Sequence, residues 1–238
     1  MIRIRWHYHT DNTGFGNKLI LSCFAECYSI DTGQQVFNWL ETDILRSGGS
    51  MSLKSSKLVK DNQTVKWRQL MGIDIDAQED VVIVGRGTTL SNHAFHQTTN
   101  DIERIKKHKE RVVKDFGRRE GTFVHVRVGK VKSRMVPGIE YYKRCLPASC
   151  SGYVSSDRPR HSIVRYLLDH FDLKLYKGNS EETIIFGSSF DNKVLSLGTF
   201  SWWIGFIGNQ TNVIYPNPDN YTKWHGPIFQ CMDNWRKM

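Results

Sequence analysis

His125 and Arg127 stand two residues apart in Thr122-Phe123-Val124-His125-Val126-Arg127-Val128-Gly129, a β-prone run that stops at a glycine. Residues that alternate along a strand share a face, so the two side chains project together from the strand's end. In open α/β folds, ligands bind at the carboxyl edge of the sheet. An arginine there grips phosphate oxygens through its planar fork, which suits a diphosphate, with the histidine turned to the nucleoside. Lys130, Lys132 and Arg134 follow closely and add positive charge. An ordinary strand end, with a solvated arginine and a hydrogen-bonded core histidine, would read the same way.

Three further segments carry comparable chemistry. Gly14-Phe15-Gly16-Asn17 precedes a helical pattern. Its glycines let a ligand approach the backbone, and a helix N-terminus offers free N–H groups to an anion. Leu19 takes the third glycine position of a dinucleotide fingerprint, so a plain tight turn stays open. In Tyr153-Val154-Ser155-Ser156-Asp157 the carboxylate is suited to a guanine edge or a ribose hydroxyl. Asp157 or Ser156 is equally suited to capping the next helix, with Pro159 in its first turn. In Ser196-Leu197-Gly198-Thr199-Phe200-Ser201-Trp202-Trp203, Thr199 and Ser201 would receive phosphate oxygens and Phe200 would shape a sugar pocket. Alternatively Thr199 is a simple N-cap; in either case the tryptophans read as core.

These segments need elements to hold them. Ile2 to Tyr8 is β-prone, and Leu19, Ile20, Cys23, Phe24 and Cys27 mark one face of a helix from Lys18 to about Ser29. Val36 to Leu40 and Val81 to Val84 read as strands, the latter of the fully buried kind. The basic run Arg104 to Arg119 reads as a solvated helix face without a clear apolar period. Beyond it a second α/β half begins at Phe123. Helices are predicted over Tyr141 to Leu146, around Ile163 to Phe171, from Thr199 to Ile207 and over Phe229 to Arg236. Strands are predicted at Tyr153 to Ser155, Leu173 to Tyr176, Val194 to Leu197 and Val213 to Tyr215. Alternating strands and helices imply parallel sheets, in two halves divided at 117/118.

The balance of 33 basic against 24 acidic residues, a net charge of +9, favours an anionic partner: nucleic acid, a membrane surface or a phosphorylated ligand. The basic run holds few aromatics for base stacking and no nucleic-acid-binding motif is present, so nucleic acid is not expected. Five cysteines without a C-x-x-C give neither a disulfide framework nor a zinc site. Cys23 and Cys27, one helical turn apart, read as packing. No apolar run spans a bilayer and Met1 opens no signal peptide, which predicts a cytoplasmic protein with at most peripheral membrane contact. The N-x-T sequons at Asn62, Asn209 and Asn220 then carry little weight.

Taken in order, five segments resemble the α-1,2-fucosyltransferase family. Gly14-Phe15-Gly16-Asn17-Lys18-Leu19-Ile20 is similar to its G-L-G-N-Q-L-F opening, and Val124-His125-Val126-Arg127-Val128-Gly129-Lys130 to its V-H-I-R-R-G-D. Pro137-Gly138-Ile139-Glu140-Tyr141-Tyr142 resembles the L-x-x-x-Y-Y helix start, and Val154-Ser155-Ser156-Asp157 the F-S-D-D. Leu197-Gly198-Thr199-Phe200-Ser201-Trp202-Trp203 resembles the S-S-F-S-W-W or G-T-F helix. The resemblance runs from residue 14 to about 215. It implies a GT-B-type α/β fold, with an acceptor-side Rossmann-like half, a nucleotide-sugar-binding half and a donor site in the cleft. It also implies inverting transfer of fucose from GDP-fucose to a glycan hydroxyl, without a metal or other cofactor. Arg127 matches the arginine that supports the donor β-phosphate, and His125 the histidine near the nucleoside. Gly16 and Asn17 match the donor-side loop. Asp157, Thr199, Phe200 and Ser201 match positions that line the nucleotide-sugar pocket.

Departures bear on activity. Val128 replaces the second motif arginine and Lys130 the motif aspartate, and no carboxylate lies between Arg127 and Glu140. Asp11, His9 and Glu140 are the candidates for the catalytic base. Another nucleotide sugar as donor, or an inactive module that binds a GDP-sugar, are the alternatives. Asp74-Ile75-Asp76 matches the manganese-binding D-x-D of a different glycosyltransferase fold, and reads as a solvated acidic turn beside Glu79 and Asp80.

Overall fold

The computed structural model describes residues 2–6, 14–33, 36–37, 40, 42–46, 81–85, 99–129, 136–208, 211–217 and 232–238. Asp11, His9, Lys130 and the Asp74–Asp76 motif lie outside these residues. The chain divides into two compact units, residues 1–114 and 115–238.

In the first unit a parallel sheet is ordered β2-β1-β3, from β1 (Ile2–Trp6), β2 (Val36–Phe37) and β3 (Val81–Gly85). Between β1 and β2 runs helix α1 (Phe15–Thr32). It begins three residues earlier than the apolar pattern indicates: Gly14 is the cap, and Asn17 N–H already donates to Gly14 O. Gly16 and Asn17 therefore belong to the first helical turn and not to a preceding loop. Cys23 and Cys27 are fully buried, as packing requires. Helix α2 (Thr99–Val112) corrects the reading of the basic run, because Ile102, Ile105 and Val112 form a buried stripe beneath its charged residues.

The second unit is a six-stranded parallel sheet, ordered β6-β5-β4-β7-β8-β9. Its strands are β4 (Arg119–Val126), β5 (Ser151–Ser156), β6 (Asp172–Leu175), β7 (Phe190–Val194), β8 (Asn212–Tyr215) and β9 (Arg236–Lys237). Helices α3 (Ile139–Cys145), α4 (Ser162–His170), α5 (Ser180–Ser188) and α6 (Thr199–Ile207) connect them. The chain runs outward from β4 to β6, returns beside β4 as β7, and continues to the other edge, which is the Rossmann order. One face of β4 presents Val124 and Val126 to Tyr141, Tyr142, Val164 and Leu167 of α3 and α4. On the other, Phe123 meets Phe186 and Phe190 edge-on or tilted, at centroid distances of 6.1 and 5.8 Å.

Several boundaries differ from expectation. The strand predicted at Val194 to Leu197 is β7 at Phe190–Val194 instead. Its fourth residue, Lys193, is fully buried and its ammonium donates to Phe190 O, so a charge interrupts the apolar pattern of an interior strand. Helix α5 lacks an amphipathic period, and its start is marked by a capping box: Asn179 Oδ1 accepts from Glu182 N–H, and Glu182 Oε2 from Asn179 N–H. At the C-terminus, a turn at Asp233–Asn234 leads into β9, so the predicted helix does not run through Arg236. Among the described residues no helix is long and apolar enough to cross a membrane.

Candidate functional site

Strand β4 is the first strand of its sheet and β7 the returning one, so the topological switch point lies between them. Arg127 directly follows β4, and Gly198-Thr199 opens α6 after β7. Two of the sequence segments thus meet at the crevice where a fold of this order takes its ligand. The third, Asp157, directly follows β5, the other neighbour of β4.

The start of α6 is built for close approach. Gly198 is its cap, with φ 116° and ψ 157° and no side-chain hydrogen bond to the helix. Only glycine adopts this conformation without strain. Thr199 is therefore the first helical residue and not the cap. A Cβ added at Gly198 would lie 3.7 Å from Arg127 Cδ, so the arginine stem runs alongside the helix entry. The half-buried Arg127 side chain makes no hydrogen bond or ion pair with any described residue. The stem of an arginine thus passes the positive end of a helix, and both groups are suited to an anion.

His125 lies behind them. It is 4% exposed, and its Nδ1 shares a 2.6 Å hydrogen bond with Ser201 Oγ. Phe200 covers the ring at 5.1 Å between centroids. Burial, reinforced by the nearby Arg127 charge and opposed by Asp157, lowers the histidine pKa to about 3, so the imidazole is neutral. Ser201 is fully buried with its hydroxyl on His125, and Thr199 is buried as well. These residues join β4 to α6 and set the wall from which Arg127 emerges.

Asp157 braces the arginine loop. Its Oδ1 accepts from Val128 N–H and its Oδ2 from Gly129 N–H, both at 2.9 Å. A Cβ at Gly129 would stand 2.6 Å from Asp157 Oδ2, so glycine is what lets the carboxylate close on the backbone. The cap of α4 is His161, whose ring accepts from Ile163 N–H, and neither Asp157 nor Ser156. This brace was missed in the sequence, where only an acceptor after a strand is visible. Val128, at the motif's second arginine position, packs into the core.

Glu140 sits in the first turn of α3, 72% exposed at its side chain, and accepts from Lys143 Nζ at 2.7 Å. Gly16 and Asn17 belong to the other unit, in the first turn of α1. Among the described residues no three His, Cys, Asp or Glu side chains converge as a metal centre needs.

Residues 115–238 thus form a Rossmann-like α/β unit with an open cationic position at its switch point. The chain matches no protein-family model, no curated protein and no solved structure.

Proposed function

We propose that the chain is a glycosyltransferase that takes a nucleotide sugar, GDP-fucose by its motif resemblance, and transfers the sugar to a glycan hydroxyl. In this GT-B-type reading the nucleotide belongs to the second unit and the acceptor to the first. The observation that carries it is Arg127, whose stem passes the glycine-capped start of α6 and whose guanidinium has no carboxylate partner among the described residues.

In the reaction the acceptor oxygen attacks the anomeric carbon as the bond from that carbon to the β-phosphate oxygen breaks. The bonding pair leaves with GDP, and the acceptor proton passes to a base. Negative charge therefore grows on the diphosphate, next to Arg127 and the α6 N–H groups. A preorganised donor aimed at developing charge is worth ~3 kcal/mol. Neutral His125 contributes no charge of its own, and Asp157 keeps the loop in place.

A second reading, nucleotide binding without transfer, is favoured by Glu140 being tied to Lys143 and by the buried Val128 where the family has arginine. Thermal shift with GDP, UDP, ADP and CMP, followed by a GDP-fucose turnover assay, separates these. Selective stabilisation by GDP is expected, ~2.7 kcal/mol at a hundredfold excess over Kd. Stabilisation without turnover of acceptor sugars leaves the binding module, and no nucleotide effect removes both readings.

A further inference from the structure

Thr122, Asn192 and Asn212 stand in register across β4, β7 and β8. The next rung on that face is Val124, Val194 and Ile214, part of the apolar core. A parallel sheet covered on both faces ordinarily continues its apolar rows. Here a row of one hydroxyl and two amides replaces them. Asn192 Nδ2 donates to Gly121 O at 3.1 Å, and Asn212 Nδ2 donates to Asn192 Oδ1 at 2.8 Å.

Helix α3 ends at Cys145 over this row, leaving a cavity of about 450 Å³ lined by the three polar residues with Arg144, Cys145 and Arg236. That volume falls within the ~300–1,000 Å³ typical of small-molecule sites. No carboxylate among the described residues lines it. Arg144 Nε donates to Glu140 O at 3.3 Å, and neither arginine forms an ion pair among the described residues. Both act on the Cys145 thiol, whose pKa burial nevertheless pushes up to about 11.

The cavity is separate from the switch-point site. Thr122 lies five positions before Arg127, about 16 Å of strand at ~3.3 Å per residue. The odd spacing also sets them on opposite faces of β4.

We propose that this cavity is a second anion site, taking a small phosphate monoester whose polar body meets the Thr122–Asn192–Asn212 row. Two guanidinium forks balance the −1.5 to −2 charge that such a group carries near neutrality. The amides and hydroxyl suit hydroxyls on the rest of the molecule. The inference does not depend on the glycosyltransferase reading.

The test is a titration of the full chain with glycerol 3-phosphate, and separately with inorganic phosphate, followed by backbone amide NMR shifts. Saturable shifts are expected at 144–146, 192, 212 and 236. They should persist in Arg127→Ala and weaken at least tenfold in the Arg144→Ala/Arg236→Ala double variant. An Arg144→Lys/Arg236→Lys variant should retain intermediate affinity, and unchanged amide positions elsewhere show that each variant is folded. Shifts confined to the ends of β4 and β7, shifts that survive in the alanine double variant, or none at millimolar ligand would each overturn the proposal. Loss of GDP binding in Arg127→Ala with this response intact separates the two sites.

Discussion

Asp31 and Arg127 show two opposite treatments of charge in one chain. At the end of α1, Asp31 is met by Arg104 Nε at 2.9 Å, Lys107 Nζ at 3.3 Å and His108 Nε2 at 2.7 Å, all from α2. At the end of β4, Arg127 meets no carboxylate among the described residues, while Asp157, at the end of the neighbouring strand, is held by backbone N–H groups. The first arrangement uses cations to fasten one helix to another. The second uses a carboxylate to shape a loop and leaves the cation without a carboxylate partner among the described residues. A protein with net charge +9 has no shortage of cations, so what distinguishes a binding position is its lack of an internal partner.

The sharpest way to break the contrast is Arg127→Ala. Because no hydrogen bond or ion pair among the described residues depends on the guanidinium, stability should change by less than ~0.5 kcal/mol, as for an ordinary surface change. Sugar transfer should fall by at least a hundredfold, consistent with a ~3 kcal/mol loss in the transition state. Arg127→Lys should recover only part, since it restores charge without the planar fork. Stability and GDP-fucose turnover measured together decide it: near-wild-type turnover in Arg127→Ala would falsify the assigned role.

Asp157→Ala should give the reverse pattern. It removes two charge-assisted bonds to Val128 and Gly129 N–H, each worth ~1.5–3 kcal/mol, with partial replacement by water. A destabilisation of ~2–3 kcal/mol is expected in urea unfolding, with faster amide exchange at those two residues. Unchanged exchange there would show that the loop holds without its brace.

How much of this was legible beforehand depended on whether a signal was local. The apolar face of α4, with Ile163, Val164 and Leu167 buried, follows from spacing alone. So does the emergence of His125 and Arg127 on one side of β4. Helix α5 was readable only through its Asn179–Glu182 capping box, because its apolar residues do not fall on one face. Strand β7 was displaced in the reading by buried Lys193, whose satisfaction by Phe190 O is a tertiary fact. The roles of Asp157 and Ser201 lay further from reach. An acceptor after a strand and a hydroxyl in a first turn are visible in sequence, but their partners are set by which strands are neighbours and in what register.

The buried histidine gives the contrast a pH dependence. Folded His125 resists protonation until about pH 3, whereas in the unfolded chain it titrates near its ordinary 6.5. The unfolded state therefore binds the extra proton first. This contribution to stability is fully present above pH 6.5 and declines as pH falls toward 3, by up to ~1.4 kcal/mol per unit. Between pH 6.5 and about 5 the loss should approach ~2 kcal/mol. Urea midpoints for the wild type and His125→Gln measure it; an equally steep profile in the variant would assign the acid sensitivity elsewhere.

Asp31→Asn should have the smallest effect, although three cationic side chains meet it. Partial burial works against the Asp31 carboxylate, and its contacts with His108 and Lys107 outweigh that, so its pKa lies below the usual carboxylate range. With the folded value depressed, its contribution is present above the ordinary pKa of ~4 and is lost as pH falls through the folded value. Ion pairs near the surface are screened and cost side-chain freedom, so the variant should lose no more than ~1 kcal/mol at neutral pH. The loss should shrink with added salt and appear as faster amide exchange in α1 and α2, where the residue acts. Arg127→Ala, by contrast, should leave that exchange untouched. If Asp31→Asn instead weakened GDP binding as strongly as Arg127→Ala, the division between fastening charge and binding charge would fail, because the carboxylate with three partners would then be serving the ligand too.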